Sequence, residues 1–554
     1  MLLLSILASG CTGGTASSDG AASPPAGPDV PAPSPVIVPP GDVIGPPALP
    51  APSLEIGAEQ GALRFRWSEV TDDARSVRLH VRDAHGDLER ALPLGSEDEG
   101  RTLLLPVIPH RTPWADLSYR LEVCSPIGCA ISPPRGARQL AADTFHALHP
   151  GFALREERYG EAVAFSADGG LLAIAQPAAG RVSLWFTGGE SARGGTIDIG
   201  TANTPGAARP GARRLALAAS GNGDAIAVLI DEPASSGKAV IALFERLGED
   251  WFESARFAPF EVSRAQMPDA ETSAVRMQVT SVPVGESGSR LEIWLSQGGD
   301  RLAVASLPVD GDGASVMSAD GQVAAADDDG SAGALVLHER GEDGRWRAVR
   351  SLHAGANGQD RLIAAGISAD LRRVFTVAAR PNDHARLRLH ARERDWRADE
   401  LVTLTDLDAL APLALVAAAD GTRLAIGGFE NRRAEPGAAV LWRYRVETRA
   451  GTSTASVEES IVLGTPTGAA GTASLVADAA LDAAAFAWRS PASAGFESVV
   501  RDGRGRWRRT LTLSGDQAGT ALSMDAGGTR LAIGVAPGDA PTGTLDAGRV
   551  LLLR

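Results

Sequence analysis

Apolar and polar residues come in short alternating runs through most of this chain, and Gly/Asp turns separate the runs. The clearest set is Gly313–Leu352, with apolar runs at Ala314–Met317, Gln322–Ala326, Ala334–His338 and Trp346–Leu352. Runs of that length with that punctuation predict strand, turn, strand. Copies of the set recur about every fifty residues. In order they are Ala162–Phe186, Leu215–Phe257, Ala274–Val309, Gly313–Leu352, Leu362–Leu404, Leu413–Val446, Ala473–Leu513 and Thr520–Leu553. One copy alone cannot cover both faces of its sheet, whereas stacked copies closing on themselves can. The expected fold is therefore all-β, a β-propeller of eight four-stranded blades, or seven if the degenerate Ala274–Val309 stretch merges with a neighbour. The last copy stops after its third strand, at Arg554. His146–Tyr159 has no other place, so it is predicted to complete the last blade and remove an open edge.

Two signals recur among the copies. One is a polar turn before a Leu-Ala-Ile strand: Asp168-Gly169 before LLAIA, Asp420-Gly421 before RLAIGG, Gly527-Gly528 before RLAIGV. Asp-Gly supplies the positive φ of a primed hairpin turn. The other is a Trp after a polar loop, at Trp251, Trp346, Trp396 and Trp507. A Trp recurring at one blade position predicts packing between blades in preference to ligand binding. The turn, the following GxVxLF/W strand and the downstream Trp together resemble the FG-GAP repeats of integrin α-like propellers, over about 400 residues. Tyr159-Gly160 is the nearest counterpart of the Phe-Gly that names that family. The resemblance implies recognition or adhesion through blade-face loops. Its calcium loops would fall at Asp310 and Asp312, or at Asp327–Asp329. Neither stretch supplies the alternating oxygen ligands and closing carboxylate that calcium prefers, so both are read as solvated turns.

Ahead of the repeats, residues 53–140 alternate again. Leu63, Phe65 and Trp67 share one strand face, as do Val77, Leu79 and Val81, and then Tyr119, Leu121 and Val123. Trp67 and the Leu117–Val123 run resemble a fibronectin type III domain, which implies a small β-sandwich serving as spacer or binding module. Cys124 and Cys129 flank the Ser125–Gly128 turn. Two thiols, half a metal site or a cross-strand disulfide would each fit there. No second Cys pair and no His close in sequence supports a metal. Bacterial versions of the module often carry a Cys on each side of this turn, and a disulfide suits an oxidising compartment.

The first residues, MLLLSILASGC, place the apolar run Leu2–Ala8 before Ser9, Gly10 and Cys11. They resemble a bacterial lipoprotein signal, with Cys11 as the lipidated residue. The run is too short to span a bilayer. Residues 12–52 are Pro/Ala-rich and lose periodicity, the signature of a linker that buries no core. As polyproline it reaches at most roughly 130 Å. The organisation expected is signal and lipid at 1–11, linker at 12–52, sandwich at 53–140 and propeller at 141–554.

Composition adds limits. The 554 residues carry a net charge of −15, which argues against nucleic acid as a partner. Lys238 is the only lysine, so the prevalence of Arg reflects coding bias. Ser287 lacks the glycine spacing of a nucleophile elbow. The close His pairs, His146 with His149 and His384 with His390, have no further ligands near them in sequence. His390 and His338 are read as structural. No catalytic residue, cofactor or metal is assigned. The expected protein is a monomeric, non-catalytic outer-membrane lipoprotein whose sandwich and propeller bind a protein or polysaccharide, facing the periplasm or the cell surface. The alternatives are a periplasmic assembly scaffold, or a propeller enzyme whose groups converge in the central funnel.

Overall fold

The computed structural model describes most of residues 49–554. Outside the description lie 1–48 and internal segments, chiefly 83–87, 95–101, 150–157, 200–213, 262–275, 310–321, 327–333, 354–360 and 536–547; for strands between 276 and 353 the backbone alone is described. Cys11 and the acidic stretches at 310–312 and 327–329 thus fall outside it. Pro50–Arg554 is one compact unit.

Two sheets come first. One has the order Ser53–Glu59, Ala62–Ser68, Thr102–Pro106. The other runs Leu88–Leu94, Ser76–Arg82, Ser118–Ser125, Gly128–Ile131, with Arg135–Gly136 also pairing to Ser118–Ser125. The alternation read in the sequence decides which faces meet. Leu63, Phe65 and Trp67 from the first sheet are buried with Val77, Leu79, Val81, Tyr119, Leu121 and Val123 from the second. The Phe65 and Tyr119 rings lie 5.0 Å apart.

The rest is a β-propeller. The described residues form eight repeat sheets, each antiparallel between neighbours. The first holds Val163–Phe165, Leu171–Gln176, Arg181–Phe186 and Ala192–Asp198, and the second Arg214–Ala219, Ala225–Asp231, Lys238–Leu247 and Asp250–Glu261. The fifth holds Arg361–Ile367, Arg373–Ala379, Ala385–Ala391 and Ala398–Leu404, and the sixth Ala414–Ala417, Arg423–Phe429, Ala439–Arg449 and Thr452–Val462. The seventh holds Thr472–Ala477, Ala483–Arg489, Ala494–Arg501 and Trp507–Ser514. The third and fourth sheets show three strands each. For the fourth, the expected first strand at Ala314–Met317 lies outside the described residues. The degenerate stretch forms the third sheet, and its last strand, Asp300–Val309, also lies against Gln322–Ala326 and Arg361–Ile367.

Ring closure is formed by the two ends of the repeat region. The eighth sheet takes Ala521–Met524, Leu531–Val535 and Arg549–Leu553 from the C-terminus, and its fourth strand, His146–Leu148, from before the first repeat. Val163–Phe165 lies beside both Arg214–Ala219 and Ala521–Met524, so the first strands track round the centre.

One local expectation is corrected. The Asp-Gly turn is not a two-residue primed turn, in which both central residues take positive φ. It is a four-residue loop in which one of the described residues does so. Ser166 N donates to Leu171 O and Gly169 N to Ser166 O; Asp525 N donates to Arg530 O and Gly528 N to Asp525 O. The loop's third residue has positive φ each time: Gly169, Gly421, Leu481 and Gly528. Asp168 serves through its side chain, accepting from Gly170 N at 2.8 Å.

Candidate functional site

In three of the sheets whose side chains are described, one position on the third strand fills the junction to the next sheet. Counted from the turn, that residue is Leu184 opposite Ala173, Leu389 opposite Phe375 and Leu552 opposite Ala532. All three leucines are buried, each in a core shared with the following sheet. In the same register the sixth sheet carries Arg443, opposite Ala425, and the seventh carries Ser498, opposite Ala485. A polar residue where the repeat wants leucine breaks the local rule, and such breaks gather at functional sites.

The turns at one end of the ring interlock too. A Cβ on Gly421 would approach Ser368 and Arg373 of the fifth sheet's turn within 2.9 Å, and one on Gly528 would approach Asp478 and Ala483 of the seventh. Arg373 Nη1 donates to Gly421 O at 2.9 Å, and Arg530 Nη1 to Asp168 O at 3.2 Å. Between the sixth and seventh sheets the pattern changes again. Leu481 replaces the glycine at φ 57°. Arg423, in the place of Arg373, has its Nε 3.5 Å from Glu458 Oε2.

The exception between the seventh and eighth sheets has a visible cause: the sandwich docks there. Its short 3₁₀ turn Pro109–Arg111 lies against the third and fourth strands of the seventh sheet. Ser498 and Thr510 hydroxyls are 2.8 Å apart, and Thr510 Oγ1 donates to His110 O. His110 Nε2–H donates to Gly528 O at 2.9 Å, and Arg111 Nη1 to Gly527 O at 3.0 Å. Trp114 Nε1 braces the turn by donating to Pro109 O at 2.7 Å. One hydrophobic core runs from the sandwich into both sheets, from Phe65 and Leu121 to Phe496, Leu531 and Leu551. Burial pushes the His110 imidazole down to about 4, and Arg111 adds to this, against the hydrogen bond to Gly528. The ring is therefore neutral at neutral pH, with its proton on Nε2.

The exception between the sixth and seventh sheets is filled by charge. A β-bulge in the sixth sheet's outer pair skips Glu458: Arg443 pairs with Glu459 and Tyr444 with Val457. A bulge turns two successive side chains toward one side. Glu458 Oε2 lies 3.0 Å from Arg443 Nε, and its Oε1 bonds Arg445 Nε. Glu459 Oε1 accepts from Trp507 N, across on the seventh sheet, at 2.6 Å. From the seventh sheet Arg501 also faces this junction and bonds Asp482 at 3.1 Å. Arg443 is 1% exposed, and its Nη2 has no hydrogen-bond partner. Desolvation weighs most against its charge, followed by Arg501, while Glu458 supports it. Against the upward push of burial, Arg445, Arg443 and Arg423 hold the Glu458 carboxyl below its ordinary range.

The residues singled out from sequence fall elsewhere. Cys124 and Cys129 face each other across their hairpin and are joined as a disulfide. Their sulfurs with Glu122 make the grouping within metal reach among the described residues, and the disulfide removes both thiolates as ligands. His390 is buried, its Nε2 3.2 Å from Thr376 Oγ1 and its Nδ1 3.4 Å from Trp396 O. Burial brings it to about 4. His146 sits on the closing strand beside Arg554, 3.3 Å away, while His149 and His384 are exposed. Trp396 and Trp507 are buried and Trp251 packs against the core of the first two sheets, as inter-blade packing requires. His110, Arg443 and Glu458 were not picked out from sequence. Aligning the third strands of the copies would have exposed Arg443 against three leucines; nothing local marks His110.

No family model matches the chain, and no curated protein matches it in sequence. Among solved structures it is similar to the β-propeller domain of Cps50 (Swd1) from Myceliophteria thermophila, at 11% identity over 74% of this chain and 98% of that one, with a TM-score of 0.39. Hydrazine synthase from Kuenenia stuttgartiensis aligns at 11% identity over 70% and 94%, with a TM-score of 0.39. A streptogramin B lyase aligns at 12% over 74% and 96%, with a TM-score of 0.35. These likenesses are weak, and the ring rests on the chain's own strand order.

Proposed function

We propose that this protein is a non-catalytic binding lipoprotein of the cell envelope. A lipid at Cys11 holds it to the membrane, the Pro-rich 12–52 stretch sets it off the surface, and the fused sandwich and propeller meet a protein or polysaccharide partner. The observation that carries the reading is the make-up of the described first strands around the ring's centre. Where their side chains are described these strands are apolar or hydroxyl, as in Val163, Ala164 and Phe165, Ala414–Ala417, Ala473–Ala477 and Ala521–Met524; the first strands of the second, third and fifth sheets begin at Arg214, Arg276 and Arg361, whose side chains lie outside the description. The perturbed histidines His110 and His390 are engaged in packing contacts away from those strands. The fibronectin-like and FG-GAP-like motifs, both common in recognition modules, support the same reading.

The test is fractionation of cells carrying wild-type protein or Cys11→Ala. The wild type is expected in the membrane fraction and the variant in the soluble fraction; equal membrane retention would remove the anchor. Protease treatment of intact cells then separates a surface-exposed head, which is released, from a periplasmic one, which resists.

A further inference from the structure

Every polar exception in a repeating core needs an occupant. Between the seventh and eighth sheets the sandwich supplies it, with His110 O meeting Thr510. Between the sixth and seventh sheets no described segment does so. The position that elsewhere holds Leu184, Leu389 or Leu552 holds a guanidinium 1% exposed, with Nη2 unpartnered. Its Nε faces Glu458 at 3.0 Å, but the buried Nη2 is desolvated with nothing in return unless a further acceptor reaches it.

Around Arg443 the charge is not balanced. Arg423, Arg445 and Arg501 join it, four guanidiniums against the carboxylates of Glu458, Glu459 and Asp482, while Glu447, whose charge also reaches Arg445, is bonded to a fifth, Arg449. Glu459 is already engaged by Trp507 N and Asp482 by Arg501. This excess of cations sits in a protein of net charge −15, so general surface attraction does not explain it. Access comes from the rim: the side chains of Arg423 and Arg445 are 32% and 49% exposed, and that of Arg501 is 31%. Glu458 itself demonstrates the chemistry, a carboxylate held between three arginines. Planar guanidinium forks suit carboxylate and phosphate oxygens geometrically.

We propose that the junction between the sixth and seventh sheets is an oxyanion-binding site, in which Arg443, Arg423, Arg445 and Arg501 take a carboxylate or phosphate group of a ligand. The idea deepens the binding-module reading and rests on it for the ligand's biological source. It can fail in vitro while Cys11-dependent membrane attachment holds, and the reverse is equally open to measurement.

The experiment is titration calorimetry and thermal melting of the full-length protein at low ionic strength. The probes are inorganic phosphate, an oligogalacturonate and a neutral glucan. One or both anions are expected to bind and raise the melting midpoint, and the glucan to do neither. A phosphate response points to a phosphorylated ligand and an oligogalacturonate response to an acidic polysaccharide. Arg443→Leu restores the residue that other repeats use and is expected to fold. Arg445→Ala alters an exposed side chain and keeps the test valid if the first variant misfolds. Each is expected to weaken binding about tenfold or more, the loss of roughly one charge-assisted contact. Undiminished binding in both variants would place the anion elsewhere and overturn the proposal. So would a wild type that neither anion binds nor stabilises, whatever the melting midpoint of Arg443→Leu.

Discussion

At the scale of single residues, backbone shape and burial decide most of what can be tested. Gly421 and Gly528 hold φ of 62° and 63° with the neighbouring sheet's turn against them, while Gly248 holds 67° with nothing within 4 Å. Replacing any of the three by Ala costs about 1–2 kcal/mol for the left-handed backbone. The first two lose more, because a neighbour must also shift. Denaturant midpoints of the three variants check this, and equal losses would mean the interlocking turns contribute nothing. His110 and His390 give a pH dependence of definite sign. Both are pushed down to about 4 by burial, whereas in the unfolded chain they titrate near 6.5. Between those values the unfolded chain binds more protons, so stability is full above pH 6.5 and falls as pH drops toward 4. The loss reaches about 3 kcal/mol per histidine. His110→Gln keeps an N–H for Gly528 and does not titrate. Its midpoint is expected to change less than the wild type's between pH 7 and 4.5, and parallel changes would show that His110 is not the group responsible.

At the scale of elements, a strand's contribution depends on what its end does. The hairpin after Ser118–Ser125 is locked by the Cys124–Cys129 disulfide, across a sequence separation of 5. Closing so short a loop contributes about 2 kcal/mol in the chain-entropy estimate. Reductant, or Cys124→Ser with Cys129→Ser, should lower the thermal midpoint by a matching amount without touching the ring; an unchanged midpoint would mean the hairpin is held by its ladder alone. The outer hairpin of the sixth sheet shows the reverse case, an element reshaped for chemistry. Its bulge at Glu458 occupies the same register as bulges in the first, second and seventh sheets. The backbone device is therefore common to several repeats, and what differs is the pair of side chains it presents.

At the scale of the whole molecule, sandwich and ring behave as one body because their cores are continuous through the seventh and eighth sheets. Calorimetry of residues 50–554 is expected to give one transition; two separated transitions would mean that the dock at His110 is weaker than its contacts suggest. Ring closure rests on three residue pairs, Leu148 with Val550, Ala147 with Leu551 and His146 with Leu552. Ala147→Pro removes a backbone donor there and leaves Arg549–Leu553 closer to an open edge. Size-exclusion chromatography should then show a larger associated fraction than the wild type, and an unchanged monomer peak would mean closure does not depend on that strand.

The alternation of apolar residues determined by itself that the chain is all-β. It also determined which strand faces are buried and where the closing strand lies, because a period of two and a missing fourth strand are local facts. Trp251, Trp396 and Trp507 could likewise be read as packing from their recurrence, while the side chain of Trp346 lies outside the described residues. The two junctions could not be read that way. Arg443 is an ordinary residue within WRYRV until the register opposite Ala425 places it where other sheets put leucine. His110 gains its partner 418 residues along the chain. Which polar residues are forced together is set by how the sheets and the sandwich meet, so tertiary packing alone decided where this all-β ring departs from its own repeat.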